Sequence, residues 1–185
     1  MFAPSMSKKA THIGECQVCG HRQKLPNGKL SLHGYSVNAG FFEGTCNGAK
    51  HLPFEQDKSL IDGSIRMAKE QLARIEANIA AQLDGSGQLV IEVYDRYARH
   101  QSLSRRQVDV IEVLENGSIS YIQPTTKEVA TTNGYGFGKA NVTKQLRDRK
   151  IWKLEQTAKQ IKHYIGWQEN RIQDWKVQLL QPIEP

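Results

Sequence analysis

Two sulfurs separated by two residues, Cys16-Gln17-Val18-Cys19, can reach one metal ion, and Gly20 behind them lets the backbone turn beneath it. Cys46 is the third thiol. A closed tetrahedral site needs four ligands, and His21, His33 and His51 compete for the last place. His21 stands too close behind Cys19. With Asn38-Ala39-Gly40 as a turn and Val37 facing Gly40, His33 faces Gly44, and Cys46 projects on the same side of the hairpin. His51 follows Cys46 at a familiar knuckle interval, Cys-x4-His. The predicted ligands are Cys16, Cys19, His33 and Cys46 around a structural Zn2+, with His51 as the alternative fourth. A catalytic ion would need an open position and a nearby acid or base. The sequence has no HExxH, Glu15 rather than Pro precedes Cys16, and no His-x-Glu lies upstream. No catalytic residues are assigned, and no small-molecule substrate is expected.

The three cysteines lie within 31 residues and are odd in number, which disfavours a disulfide framework and suits a reducing compartment. Met1 to Glu15 is polar and lacks an apolar run, and nothing approaches a membrane span, so a cytoplasmic location is expected. Hydrophobic residues make up 38% of the chain, which fits a thin core. The net charge of +6 favours anionic partners.

That charge is concentrated. From Lys139 to Pro185 ten Lys/Arg face five Asp/Glu. Lys139, Lys144, Arg147, Arg149, Lys150 and Lys153 crowd the start of a predicted helix, where cations oppose the helix dipole and so hint at an anionic partner. A second basic stretch, Arg96, Arg99, His100, Arg105 and Arg106, neighbours Tyr94 and Tyr97, a combination able to grip phosphates and stack on bases. Between them, Asn133-Gly134-Tyr135-Gly136-Phe137-Gly138-Lys139 offers two aromatics on a glycine loop. It is not a P-loop, because Asn133 replaces the first Gly and Ala140 replaces Ser/Thr. The expected contact residues are Arg105, Arg106, Tyr135, Phe137, Arg147, Arg149 and Lys150.

The elements that must position these groups follow from periodicity. Residues 29–37 and 41–46 read as two strands of a zinc-ribbon hairpin. Ile61, Ile65, Ala68, Leu72, Ile75 and Ile79 form a heptad seam on a helix over 57–83, ended by Asp84-Gly85-Ser86-Gly87. Leu89–Tyr94 is a strand. Val108–Glu115 and Ser118–Gln123 pair around Asn116-Gly117 as a two-residue turn, with Leu114 opposite Ile119. Pro124–Gly138 reads as loop. A helix over 140–181 carries a second seam, Ile151, Leu154, Ala158, Ile161, Ile165, Gln168, Ile172, Trp175 and Leu179, with Gln168 its one polar position and Pro182 its stop. The expected fold is α+β: a zinc-ribbon-like module over 1–56, then an antiparallel, coiled-coil-like helical hairpin over 57–185 with an antiparallel β segment inserted at about 88–138.

Cys16-x2-Cys19-Gly20, His33-Gly34-Tyr35, Phe41-Phe42-Glu43-Gly44-Thr45-Cys46 and Pro53-Phe54-Glu55 resemble small zinc-ribbon-like proteins encoded by bacteriophages and plasmids, over residues 12–56. The resemblance implies a mobile-element origin and no defined activity. The functional expectation is a non-enzymatic, zinc-stabilised binding protein contacting nucleic acid or a nucleoprotein complex in a bacterial host. The alternative is a phage or plasmid inhibitor that docks on a host defence or replication protein.

Overall fold

The computed structural model describes residues 9–34, 36–38, 41–95, 104–124, 126–132 and 137–183, with the main chain alone at 36–38, 41–43, 94–95 and 104–106. Tyr135 and the basic-loop residues Arg96, Tyr97, Arg99 and His100 lie outside the described residues. Arg105 and Arg106 are described only as backbone, in a strand. The elements, in chain order, are β1 (His12–Glu15), β2 (Arg22–Lys24), a 3-10 turn (Pro26–Gly28), β3 (Ser36–Asn38), β4 (Phe41–Glu43), α1 (Ser59–Asp84), β5 (Val90–Asp95), β6 (Ser104–Val113), β7 (Ile119–Ile122), β8 (Val129–Thr131), α2 (Lys139–Ile172) and β9 (Gln181–Pro182). The chain mixes helix and antiparallel sheet. No helix among the described residues is long and apolar enough to cross a membrane.

Two compact units form, and the boundary runs through both helices rather than at residue 56. One unit comprises Met1–Glu70 with His163–Pro185, the other Gln71–Lys162.

In the first unit β1 lies between β2 and β9, both antiparallel to it. Cys16, Leu25 and Leu30 form a small core cluster beside the knuckle, and Ile61, Ile65, Ala68 and Ile165 are buried on the helix segments of this unit. The predicted strand 29–37 is shorter than expected, reduced to β3, and its register differs: Val37 pairs with Phe42, not Gly40. A shift of two residues preserves the parity of the pairing, so the argument that put His33 beside Cys46 survives. Extended backward, the same register sets His33 opposite Cys46, and the Cys46 amide donates to the His33 carbonyl at 2.9 Å. Asp57 starts α1 by accepting from the Ser59 amide at 3.0 Å and the Ser59 hydroxyl at 2.7 Å.

α2 stops at Ile172, well short of the predicted 181. No Gly or Pro lies between 172 and 181 to announce this. Tertiary hydrogen bonds take over instead. The Trp175 indole donates to the Phe54 carbonyl at 2.8 Å, the Gln178 amide donates to the Glu55 carbonyl at 2.8 Å, and Gln181 pairs with Ile13. Trp175 and Leu179 therefore leave the seam, Leu179 being almost fully exposed, and Pro182 sits in a strand instead of ending a helix.

In the second unit the sheet order is β5-β6-β7-β8, antiparallel throughout. β8 occupies a segment predicted as loop. Its pairing to β7 supplies what Val129-Ala130-Thr131 alone is too short to signal. The β6–β7 connection is a three-residue loop, not a two-residue one. The Gly117 amide donates to the Leu114 carbonyl at 2.9 Å, and only Gly117 takes a positive φ, 79°, while Asn116 does not. Val113 rather than Leu114 consequently opposes Ile119, and a bulge between Val110 and Glu112 restores the inward face. That face and α2 close a hydrocarbon core of Ile91, Val110, Val113, Ile119 and Val142.

Buried or half-buried seam positions run along both helices. Ile61 and Ile65 of α1, and Ala158, Ile165 and Gln168 of α2, are buried. Within the first unit Lys69 pairs with Glu169 at 2.8 Å. Within the second, Lys162 pairs with Glu76 at 2.9 Å, and Arg147 donates to the Gln82 and Gly85 carbonyls at 3.1 and 2.7 Å.

Candidate metal centre

The Cys16–Cys19 segment folds as a tight knuckle. The Gly20 amide donates to the Cys16 carbonyl and the Cys16 amide to the His21 carbonyl, each at 3.0 Å. Gly20 has φ 73°, and a Cβ there would lie 2.6 Å from the Trp167 ring, so glycine is required for conformation and for space. A second turn follows Cys46, closed by the Ala49 amide on the Cys46 carbonyl at 2.9 Å. Leu30 exchanges backbone hydrogen bonds with Lys50 and His51, and so clamps the chain before His33 to the chain after Cys46.

These turns gather Cys16, Cys19, His33 and Cys46, whose ligand atoms all lie within 4.8 Å of one another. The Cys16 and Cys46 sulfurs are 3.7 Å apart. Tetrahedral thiolate bonds of about 2.3 Å would set two sulfurs roughly 3.8 Å apart. The His33 Nδ1 lies 2.8 Å from the Ser31 carbonyl, which fixes the proton on that nitrogen. Its Nε2 is then a bare lone pair, buried and without a hydrogen-bond partner. A buried polar atom left this way costs free energy unless something binds it. The backbone amides of His21 and Gly48 point at the Cys19 and Cys46 sulfurs, as donors that favour the thiolate. A Cβ on Gly48 would lie 2.2 Å from the Cys16 sulfur, so a side chain there would intrude on the cluster. The four donors therefore suit a metal ion. Burial, followed by the neighbouring thiols, pushes the Cys19 thiol up to about 12, and burial raises Cys46 as well. A metal would replace those protons.

The structure thus gathers the four predicted donors. His51, the alternative, is exposed and outside the group, and contributes its carbonyl to Leu30.

A shell of hydrogen bonds behind the ligands was not legible in the sequence. Gln168 is fully buried, and its amide nitrogen lies 3.1 and 2.9 Å from the Gln17 and Val18 carbonyls. The Tyr164 hydroxyl donates to the Val18 carbonyl at 3.1 Å. Arg171 donates to the Gln17 and Cys16 carbonyls at 3.0 and 3.2 Å and pairs with Glu15 at 2.6 Å. Its guanidinium lies over Phe54 and Trp167, 4.0 and 4.4 Å from the ring centroids. Gln17, also fully buried, donates to the Leu52 carbonyl and Asp57 and accepts from the Leu60 amide. The knuckle's outward carbonyls are therefore satisfied by α2, and its one long polar side chain by the start of α1. Gln168 was the available signal, as the single polar residue in an apolar seam.

The expected contact residues fare differently from one another. Arg147 is committed to the α1 terminus, and Lys150 donates to the Gln88 carbonyl at 2.6 Å. These two satisfy carbonyls at and after the end of α1, so their place at the start of α2 does not by itself call for an anionic partner. Lys153 pairs with Glu92. Arg149 is exposed, and Phe137 is half-exposed just ahead of α2.

No protein-family model, curated protein or solved structure matches the chain. The resemblance to phage and plasmid zinc ribbons rests on the quoted residues alone.

Proposed function

We propose that the chain is a non-enzymatic, zinc-stabilised binding protein that contacts nucleic acid, bare or within a nucleoprotein complex. Three thiols and one imidazole suit Zn2+ among the common divalent ions. Four protein donors complete a tetrahedron and leave no position for water or substrate, so the ion holds structure. Two ion pairs, Lys69 with Glu169 in one unit and Glu76 with Lys162 in the other, support the expected antiparallel helical hairpin.

One observation carries the contact reading. Lys144, Arg149 and Lys159 of α2 are exposed and have no partner among the described residues, in the segment that holds most of the chain's excess charge. Unpaired surface cations release counterions from a phosphate backbone, and that entropy is their main contribution to binding. The experiment is a salt titration of the zinc-loaded full chain against labelled random-sequence DNA and RNA. Affinity that falls linearly on a log–log plot supports the reading. No binding at low salt, with a host protein retained on the immobilised chain, would favour docking on a host complex instead.

A further inference from the structure

We infer that a groove in the second unit, between α2 and the β5–β6 ribbon, receives an unstacked base of single-stranded nucleic acid, with Arg149 holding its phosphate and Trp152 stacking the adjacent base. This rests on the nucleic-acid reading and narrows it.

The groove encloses about 550 Å³, within the range of small-ligand sites. Its walls offer three kinds of group. Ile91, Leu146 and Leu154 give it an apolar floor. Asn78 and Gln107 contribute carboxamides, each both donor and acceptor, which is what the edge of any base needs. Arg149, Lys150 and Lys153 line the α2 side. Two of these cations are already engaged, Lys150 with the Gln88 carbonyl and Lys153 with Glu92. Arg149 alone of the three has no partner among the described residues and is left for a phosphate.

Trp152 follows Arg149 by three residues and so neighbours it on the helix surface, just outside the groove lining. Its side chain is 60% exposed. Tryptophan is usually well buried, and one this exposed leaves much of its surface open to a partner. Gln156 and Lys159 continue the row at helical spacing, both exposed. Asp148 and Glu155 flank Trp152 on its other side, so the attractive potential lies on the Arg149 side, toward the groove. An exposed aromatic beside an unpaired arginine and a concave, amide-bearing pocket is the arrangement that binds splayed bases. A duplex keeps its bases stacked and cannot offer one to a concavity. An acidic peptide would use the cations and the carboxamides, but a run of Asp and Glu brings no flat ring to stack on Trp152.

The test is fluorescence anisotropy of the zinc-loaded full chain with labelled oligothymidylate, oligouridylate and a duplex of equal length. Single strands should bind more tightly than duplex, and the DNA and RNA arms show which sugar is preferred. Trp152→Ala should weaken single-strand binding roughly tenfold. Arg149→Ala should reduce the salt slope by about 1. Asn78→Trp, which fills the groove from an exposed position on α1, should weaken single-strand binding and spare duplex binding. Zinc content and melting temperature of each variant report folding. If duplex and single strand bind alike and both Trp152→Ala and Asn78→Trp are silent, the groove assignment is wrong while the broader nucleic-acid reading stands. If no oligonucleotide binds even at low salt, both fall. Binding of an acidic protein that is lost in the same two variants would reassign the groove to a protein partner.

Discussion

α2 does different work in the two units. In the first, its polar side chain Gln168 is buried, with Tyr164 and Arg171 half-buried, and all three are aimed at the backbone of the Cys16–Cys19 knuckle. In the second, it lays Val142 and Leu146 on a sheet of Ile and Val, and its polar side chains reach only the margins, at and after the end of α1 and at the carboxylates of Glu76 and Glu92. The difference follows from what each unit has to bury. The second has enough hydrocarbon to close a core. The first has only Cys16, Leu25 and Leu30 buried around the knuckle, its other buried apolar residues, Ile61, Ile65, Ala68 and Ile165, lying on the helices, so at the knuckle a metal and a hydrogen-bond shell must do what apolar area does elsewhere. One unit should collapse when the metal leaves, and the other should not.

The strongest way to break this comparison is to remove the metal. Cys16→Ser, or a strong chelator, should unfold the first unit while the second persists, because structural zinc sites contribute on the order of 10 kcal/mol to small domains. Trp167 and Trp175 lie in the unit expected to open and Trp152 in the other. Single-tryptophan variants should therefore show a red shift for the first two and none for Trp152. Simultaneous loss of both units would mean they fold as one. His33→Ala should release zinc, whereas His51→Ala should leave its stoichiometry unchanged.

The pH dependence has two opposite signs. The folded Cys19 thiol titrates at about 12 against an ordinary 9.0, so the metal-free fold gains stability from it below pH 9 and loses that contribution as pH rises toward 12. Metal binding runs the other way, because the thiols must give up their protons. Zinc should therefore be released progressively as pH falls from about 8 to 5, and a colorimetric chelator measures it.

Next in size is the hydrocarbon core. Ile119→Ala empties a fully buried position and should cost about 3 kcal/mol, seen as a lower denaturant midpoint for the second unit with full zinc content. Arg171→Leu tests the other region at similar scale. It leaves Glu15 unpaired and the Gln17 and Cys16 carbonyls short of donors, and should cost about 2–3 kcal/mol in the first unit. Its zinc-dependent transition should move and the second unit's should not.

The site was legible in the sequence where chemistry is local. Cys-x2-Cys-Gly announces its own turn, and the parity of a strand carried His33 to Cys46 even though the register was two residues off. The seams over 61–79 and 151–172 announced both helices. Failures came where distant contacts decide. The end of α2 at Ile172 depends on Phe54 and Glu55, more than a hundred residues away. β8 exists because β7 offers it an edge, and the extra residue in the β6–β7 loop is matched by a bulge farther along β6. The roles of Arg171 and Gln168 were hidden for the same reason. Most of their partners are backbone carbonyls, which no side-chain pattern reveals.

The smallest expected effect separates two neighbours that look alike in sequence. Arg147 and Arg149 both sit near the start of α2, and charge alone would assign them one role. Arg147 donates to the Gln82 and Gly85 carbonyls, at the end of a helix whose last turn has no basic residue of its own. Arg147→Ala should therefore cost the second unit about 1 kcal/mol, the typical value of a lost C-terminal cap with charge-assisted hydrogen bonds on a partly exposed surface. It should leave nucleic-acid affinity nearly unchanged once folding is corrected for. Arg149→Ala should do the reverse, shifting stability by less than about 0.5 kcal/mol and lowering affinity. Denaturation and binding measured on the same two proteins decide this. If Arg149→Ala is the more destabilising and Arg147→Ala the more damaging to binding, the division of α2 into structural and contact cations is drawn along the wrong face.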